Sequence, residues 1–170
     1  SLDEVLDAGV DHVSAYSLIV EDGTALARRV ARGEIAKPDD DVAAERYELI
    51  DDRLSDSGLR WYEVSNWSTP GGECCHNLAY WRNRDWWGVG PGAHSHQAGH
   101  RWWNVKHPRT YAARVSAGMS PAEGHEETTH EQQRLERLMM GLRVREGVIA
   151  DEVECPQSAV LDLVDRGLVE

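Results

Sequence analysis

The sequence predicts an α/β fold that continues into a helical segment, on the basis of three observations. Residues His12–Val20 are rich in β-branched and aromatic residues, which is typical of a strand. An amphipathic helical pattern follows at Asp40–Ser57, and a second strand-like run lies at Trp61–Val64. A strand, a helical crossover and a strand in this order predict a parallel βαβ unit. Ligands bind such units beyond the carboxyl ends of the strands, where residues 16–18 and 65–67 would lie.

Glycines and capping residues bound the other elements of this first part. Leu2–Ala8 reads as the end of a helix that stops at Gly9. Thr24 can cap a short helix, Ala25–Arg32, which Gly33 terminates. The long helix that begins at Asp40 carries an apolar face formed by Val42, Tyr47, Ile50 and Leu54.

The second part alternates loop-like and helical patterns. Residues 68–107 are rich in glycine and read as loops, with short strands predicted at Trp86–Val89 and Arg101–Val105. Pro108–Ala117 reads as a helix, and residues 118–128 read as a linker. Beyond the linker, two helices are predicted: Thr129–Val144, with the apolar stripe Leu135, Leu138, Met139 and Leu142, and a last helix that ends at Gly167 and leads into an extended segment from Leu168.

Composition narrows the possible partners and the location. The net charge of -12 argues against nucleic acid and anionic membrane surfaces, which are held by clustered Lys and Arg. No apolar run approaches the length of a transmembrane helix, and the acidic start does not resemble a signal peptide. Three cysteines, two of them adjacent, cannot build a disulfide framework. We therefore expect reduced thiols and a cytoplasmic location.

One segment concentrates aromatic rings, imidazoles and positive charge. All seven tryptophans and five of the eight histidines lie between Trp61 and His107. Between Asn66 and Val115 there are two acidic residues against six basic ones. This profile suits a flat, apolar ligand that carries carboxylates, although we expect about half of the indoles to be structural.

Two other types of site remain open at this point. His94 and His96 could chelate a metal together with His76, His100 or His107, as in a metal-dependent hydrolase, but no Asp or Glu lies within residues 90–100 to assist them. The Cys74-Cys75-His76 cluster lacks the second ligand pair of a zinc module and the first cysteine of a haem-attachment motif. Composition alone thus allows a metal site, a pocket for a flat cofactor, or an aromatic core.

The segment His76–Trp81, of the form H-N-x-x-Y-W, carries a family resemblance. It is preceded by YEVSNWSTPGGEC and followed by DWWGVGPGAHSH and RWWNVKHP. Together with HVSAYSLIVEDGTALARRV upstream and RLERLMMGLRVREGV downstream, these residues resemble the C-terminal half of the HemW-type haem chaperones. That family is related to the oxygen-independent coproporphyrinogen III oxidases, and the resemblance covers nearly the whole chain.

The resemblance implies a fold and a set of site residues. The fold would be the late strands and helices of a partial (β/α) radical S-adenosylmethionine barrel over residues 1–117, a linker at 118–128, and a truncated winged-helix-like domain at 129–170. The family's box implies haem binding by His76, Asn77, Tyr80 and Trp81, with the His76 imidazole as axial iron ligand. Three nearby cations could pair with the haem propionates: Arg82, Arg84 and Arg101.

The chain departs from the family in one respect. The family's C-x-x-x-C-x-x-C motif for a [4Fe-4S] cluster is absent, so no cluster ligand is assigned. We expect a fragment of a longer protein that would bind the cluster, S-adenosylmethionine and haem, and would pass haem to an acceptor protein. The alternatives are an oxygen-independent coproporphyrinogen III dehydrogenase, which decarboxylates its substrate oxidatively, and a fragment with no activity on its own.

Overall fold

The structure, a computed structural model, describes residues 2–169 and divides into two compact units that meet in sequence at Cys74 and Cys75. The first unit contains three helices and three strands. In chain order they are α1 (Leu2–Asp7), β1 (His12–Ser14), α2 (Ala25–Ala31), α3 (Asp40–Asp56), β2 (Arg60–Glu63) and β3 (Asn66–Ser68).

The sheet of the first unit contains the predicted parallel pair with a third strand between its members. Strand β3 lies in the middle, and β1 and β2 each pair with it in antiparallel fashion. The helical crossover α3 does connect two strands that run in the same direction, but the chain turns back after Glu63 and inserts β3 between them. The prediction of two parallel strands joined by a helix is confirmed, whereas β3 was not predicted, because a three-residue strand is too short to give a sequence signal. Strand β1 also ends at Ser14, well before Val20.

The core of the first unit lies between this sheet and α3. Val13, Leu54, Leu59 and Trp67 are buried together, and Tyr47 and Ile50 pack against them. This confirms the predicted apolar face of α3 except at Val42, which is exposed. The indole of Trp67 donates a hydrogen bond to Asp51 Oδ1 at 2.7 Å, so the helix and the sheet are joined by packing and by a polar contact.

Helix caps in the first unit follow the sequence. The Thr24 hydroxyl accepts a hydrogen bond from the Ala27 amide at 3.1 Å, as predicted for the start of α2. Asp39 plays the same part for α3, since its carboxylate accepts from the amides of Asp41 and Val42. Two unpaired amides are satisfied at a helix N-terminus that also favours negative charge.

The second unit pairs a short helix with another three-stranded sheet and a helical end. Its strands run in the order β4-β5-β6, and all neighbours are antiparallel. The elements are α4 (Cys75–Trp81), β4 (His94–Gln97), β5 (His100–Asn104), α5 (Pro108–Ser116), β6 (Ala122–Glu127), α6 (His130–Gly141), a 3-10 turn (Ala150–Val153) and α7 (Gln157–Asp165).

Two segments of this unit were predicted to lack regular structure. Helix α4 lies within the glycine-rich region 68–107, and β6 lies within the predicted linker 118–128. Strand β6 depends on its pairing with β5, where Gly124 faces Trp103; a Cβ at Gly124 would clash with the Trp103 indole. The domain bounds 1–117 and 129–170 themselves stay a prediction.

The starts predicted for two helices of this unit are confirmed, whereas one predicted strand is not. Helices α5 and α6 begin within one residue of the predicted positions, α5 with Pro108 in its first turn. Helix α6 begins with a capping box between Thr129 and Gln132. The predicted strand at Trp86–Val89 is reduced to one bridge between Trp86 and His96. Leu168 and Val169 carry no regular structure, and Glu170 lies outside the described residues.

None of the helices within residues 2–169 has the length and apolar character needed to span a lipid bilayer.

Candidate functional site

Helix α4 presents the H-N-x-x-Y-W residues on two sides. His76 and Tyr80 are four residues apart and therefore lie on one face, where their ring centroids are 4.8 Å apart in an edge-to-face arrangement. Both side chains are exposed to solvent, and Asn77 between them is partly buried. The face thus offers an exposed imidazole that is in edge-to-face contact with a phenol ring.

This ring contact continues to two further rings of the second unit. The Tyr80 ring lies 4.8 Å from the Trp86 indole, and the indole lies 4.7 Å from the His96 imidazole. We call His76, Tyr80, Trp86 and His96 the ring series. It leads from the exposed His76 to His96, whose side chain is only 4% exposed.

Backbone hydrogen bonds fix the inner end of the ring series. The Trp86 amide donates to the His96 carbonyl at 2.9 Å, and the His96 amide donates to the Trp86 carbonyl at 3.0 Å. His96 Nδ1 lies 3.2 Å from the carbonyl oxygen of Arg84. Because a carbonyl can only accept, Nδ1 carries the hydrogen in this contact.

The opposite side of α4 contacts the segment after α6. The guanidinium carbon of Arg143 lies 5.9 Å from the Trp81 ring centroid, a cation–π contact. Arg82 makes two parallel hydrogen bonds to Glu146, 2.7 Å from Nε to Oε1 and 2.8 Å from Nη2 to Oε2. The same pairing lowers the pKa of the Glu146 carboxyl below its usual value.

A groove of about 450 Å³ lies along this side of the helix. Trp81, Val144, Val148 and Ile149 give it apolar walls, and Arg82 lies at its edge. The groove combines apolar surface with a cation that is already paired.

The three arginines predicted to meet propionates differ in their surroundings. Arg101 is held by Glu136, with 2.9 Å between Nη1 and Oε1, and also contacts Glu126; these hydrogen bonds raise the pKa of the guanidinium. Arg82 is paired with Glu146 as described. Arg84 is exposed, and its backbone carbonyl rather than its side chain holds His96. Arg82 and Arg101 must therefore give up a glutamate partner before they can bind a ligand carboxylate. The exposed side chain of Arg84 is accessible without such an exchange.

The structure gives no support to a multi-ligand metal site. Within residues 2–169, no group of three His, Cys, Asp or Glu side chains is arranged to hold a metal ion. His94 stacks on Trp103 with ring centroids 5.8 Å apart, His100 pairs with Glu127, and His107 caps α5. The cysteines of this chain, Cys74, Cys75 and Cys155, also do not form a set that would fit a [4Fe-4S] cluster.

A second aromatic surface was not predicted as a site. Trp87 is 69% exposed and meets Trp102 edge to face at 4.8 Å. The backbone beneath it is held by Ser95 and Tyr111, whose hydroxyls accept from the amides of Gly88 and Gly90. The adjacent groove has a volume of about 340 Å³. Only the adjacent tryptophans marked this surface in the sequence.

The two segments predicted to lie beyond the strand ends, residues 16–18 and 65–67, are in contact in the first unit. The Asn66 side-chain amide donates to the Tyr16 hydroxyl at 3.1 Å and to Glu63 Oε1 at 2.6 Å, and the Ser14 hydroxyl donates to Asn66 Oδ1. Glu63 and Asn66 are almost fully buried. The sequence placed these segments at one edge but did not reveal the buried carboxylate.

Comparison with known proteins gives a consistent picture. The chain is 57% identical over 148 residues to "Heme chaperone HemW" of Mycobacterium tuberculosis, which covers 87% of this chain and 38% of that protein. It is 34% identical over 148 residues to the protein of the same name from Bacillus subtilis, covering 87% of this chain and 39% of the relative. A mitochondrial "Radical S-adenosyl methionine domain-containing protein 1" from Danio rerio is 36% identical over 155 residues, or 86% of this chain and 35% of the relative.

A solved structure shows the same fold. Coproporphyrinogen III oxidase (HemN) from Escherichia coli, described as a radical SAM enzyme, superposes with a TM-score of 0.66 over 97% of this chain and 40% of its own, at 16% identity. No family model matches the sequence. The chain spans about two fifths of the length of the relatives it matches. The predicted family resemblance and the α/β fold of radical S-adenosylmethionine type are confirmed.

Proposed function

We propose that this chain, which belongs to the HemW-type family of radical S-adenosylmethionine proteins, binds haem and passes it to an acceptor protein. The single observation that supports the proposal most strongly is the exposed His76 imidazole on α4, backed by the aromatic ring of Tyr80. A neutral imidazole is a common axial ligand of haem iron, and aromatic faces pack well against a porphyrin.

The geometry of the ring series suits a cargo that must be released again. His76 lies at the surface of a seven-residue helix and not in a closed cavity, so a porphyrin could reach it from solvent and leave in the same direction. One axial ligand without an enclosing pocket gives a bond that a second protein's ligand can replace. Trp81 lies on the other side of α4, so we propose for it a supporting part, through its contact with Arg143.

The propionates would meet cations at the edge of the site. Arg84 is the first candidate because its side chain is exposed, and a guanidinium binds a carboxylate with two parallel hydrogen bonds. Arg82 and Arg101 would contribute only by exchanging Glu146 and Glu136 for propionates. Asn77 could form a hydrogen bond with the same haem.

The iron–sulfur cluster and S-adenosylmethionine belong to the proposal for the whole protein. A bound cluster would supply an electron to S-adenosylmethionine, but the three cysteines of this chain do not fit that role. We assign no step to them. Porphyrinogen decarboxylation, the alternative, would require that chemistry, and no residue described in this chain favours it. A cytoplasmic location likewise remains part of the proposal.

A haem titration tests the proposed function. The purified protein is titrated with ferric haem and its Soret band is compared with that of His76→Ala; His107→Ala serves as the matched control, since His107 caps α5. We expect the variant at 76 to lose or shift the band and the control to keep it. An unchanged band in His76→Ala would contradict the assignment of His76 as iron ligand. The ligand would then be sought at His94, His96 or Cys75.

Esterified haem tests the propionate contacts. Arg84→Gln should weaken binding of haem more than binding of haem dimethyl ester, because the ester has no carboxylate to pair. Arg101→Gln, which removes a cation already held by Glu136, should have the smaller effect of the two. Equal losses for haem and its ester would refute pairing with the propionates.

A further inference from the structure

The ring series ends in a buried histidine that the proposed function does not itself use. We propose that His96 is a positioning residue, which fixes the orientation of the His76 imidazole through Trp86 and Tyr80. The consequence for haem rests on the proposed function, but the positioning contact is a property of the chain alone.

His96 is held in one orientation. Its side chain is 4% exposed, its backbone exchanges two hydrogen bonds with Trp86, and its Nδ1 donates to the Arg84 carbonyl. In the neutral ring this leaves Nε2 without a hydrogen. The imidazole therefore has both its plane and its tautomer set by the surrounding backbone.

The outer rings have few other constraints. His76 and Tyr80 are exposed on a helix of two turns, and α4 has no buried residue of its own. Their neighbours on the ring series are then what limits their rotamers: Trp86 rests on His96 at 4.7 Å, Tyr80 meets Trp86 at 4.8 Å, and His76 meets Tyr80 at 4.8 Å. Edge-to-face contacts of this kind are directional, so each ring restricts the next.

A fixed imidazole has a functional consequence. A ligand that is already oriented loses less rotamer freedom when it binds, and affinity improves accordingly. Loss of the His96 ring should weaken haem binding by about three- to tenfold, the effect expected for one aromatic contact. It should also broaden the spectrum of bound haem, because His76 would adopt several orientations.

The positioning contact is tested first in the protein without haem. Imidazole nitrogen resonances are assigned by 1H–15N NMR in the wild type, His96→Leu, His96→Phe and a control, His100→Leu. His100 is an exposed histidine of β5 that pairs with Glu127. We expect His76 resonances to shift in His96→Leu, to return toward wild type in His96→Phe, which restores a ring, and to stay in place in the control.

The outcomes separate a positioning role from a structural one. A change in melting temperature by circular dichroism without a shift of His76 would overturn the inference, since a merely structural residue affects stability and leaves the distant ring unchanged. If His96→Leu does not fold, His96→Phe is compared with His96→Gln, and equal His76 shifts in both would also overturn it.

Haem binding provides the second readout. In wild type, a Soret band that depends on His76 supports the proposed function; in His96→Leu we expect the same band with weaker binding and a broader electron paramagnetic resonance spectrum. An identical affinity and spectrum in that variant would refute the inference and leave the proposed function intact. If the wild type binds no haem, the proposed function is refuted. The NMR comparison without haem would still show whether His96 positions His76.

Discussion

The two units use the same residue type in opposite ways. In the first unit Trp67 is fully buried against Leu54 and donates a hydrogen bond to Asp51. In the second unit Trp86 is only partly buried and contacts two rings of the ring series, and Trp87 is largely exposed. An indole-rich sequence is therefore not one aromatic cluster: Trp67 serves packing in the first unit, whereas Trp87 of the second unit faces solvent.

The largest effect expected from this comparison is on stability. Trp67→Ala should destabilise the protein by about 3–5 kcal/mol, because it removes a large buried side chain and leaves a cavity and an unpaired Asp51. Urea unfolding followed by circular dichroism measures the change. Trp87→Ala, the control in the second unit, should change stability by no more than about 0.5 kcal/mol. Similar losses in both variants would remove the distinction between the units.

The next effect is on binding and not on folding. Trp86→Leu should lower haem affinity by about three- to tenfold, since Tyr80 loses its ring neighbour, whereas the leucine retains part of the packing. Titration with haem and thermal unfolding of the same samples provide both numbers. A variant that binds haem normally but melts far below wild type would show that Trp86 serves packing, as Trp67 does.

The ion pair between Arg101 of β5 and Glu136 of α6 should have a smaller effect. Arg101 and Glu136 are both about three-quarters buried at their side chains and share two hydrogen bonds. A double-mutant cycle with Arg101→Gln and Glu136→Gln should give a coupling energy of about 1 kcal/mol, larger than that of a fully exposed pair. A coupling near zero would indicate that the pair contributes only geometry.

The smallest effect is a dependence of stability on pH. Arg82 lowers the pKa of Glu146 below 4.5, so this pair stabilises the folded state above that pH and the contribution is lost as pH falls through the folded-state value. Because the Glu146 side chain is about half exposed, we expect less than about 1 kcal/mol. The free energy of unfolding of wild type should exceed that of Arg82→Gln at pH 5, and this difference should shrink as the pH falls to 3. A difference that stays constant with pH would contradict the linkage.

Local signals in the sequence predicted where several helices begin. Thr24 caps α2 as predicted, and α6 begins one residue after the predicted Thr129, since each start depends only on residues within one turn. Strand β6, with the sequence AEGHEE, was not predicted, because glycine and glutamates give no strand pattern and the strand exists only through its pairing with β5. Strand β3 was missed for a similar reason: pairing on both sides stabilises a segment of three residues.

The candidate site was predicted in part. The H-N-x-x-Y-W residues located it through a family resemblance, but their helix was read as a loop because glycines surround it on both sides. The partnership of Trp86 with His96 depends on an isolated bridge between residues ten positions apart. No periodicity reveals such a bridge, and none indicates that Glu146 and Glu136 pair with two of the predicted arginines.

NMR of the histidine side chains can identify the iron ligand itself. With 15N-labelled histidine and ferric haem bound, the imidazole signals of His76 should show a large paramagnetic shift, whereas those of His94 and His107 should move little. If His76 keeps its haem-free signals while another histidine shifts, haem does not bind at α4, and the proposed role of His76 as iron ligand is wrong.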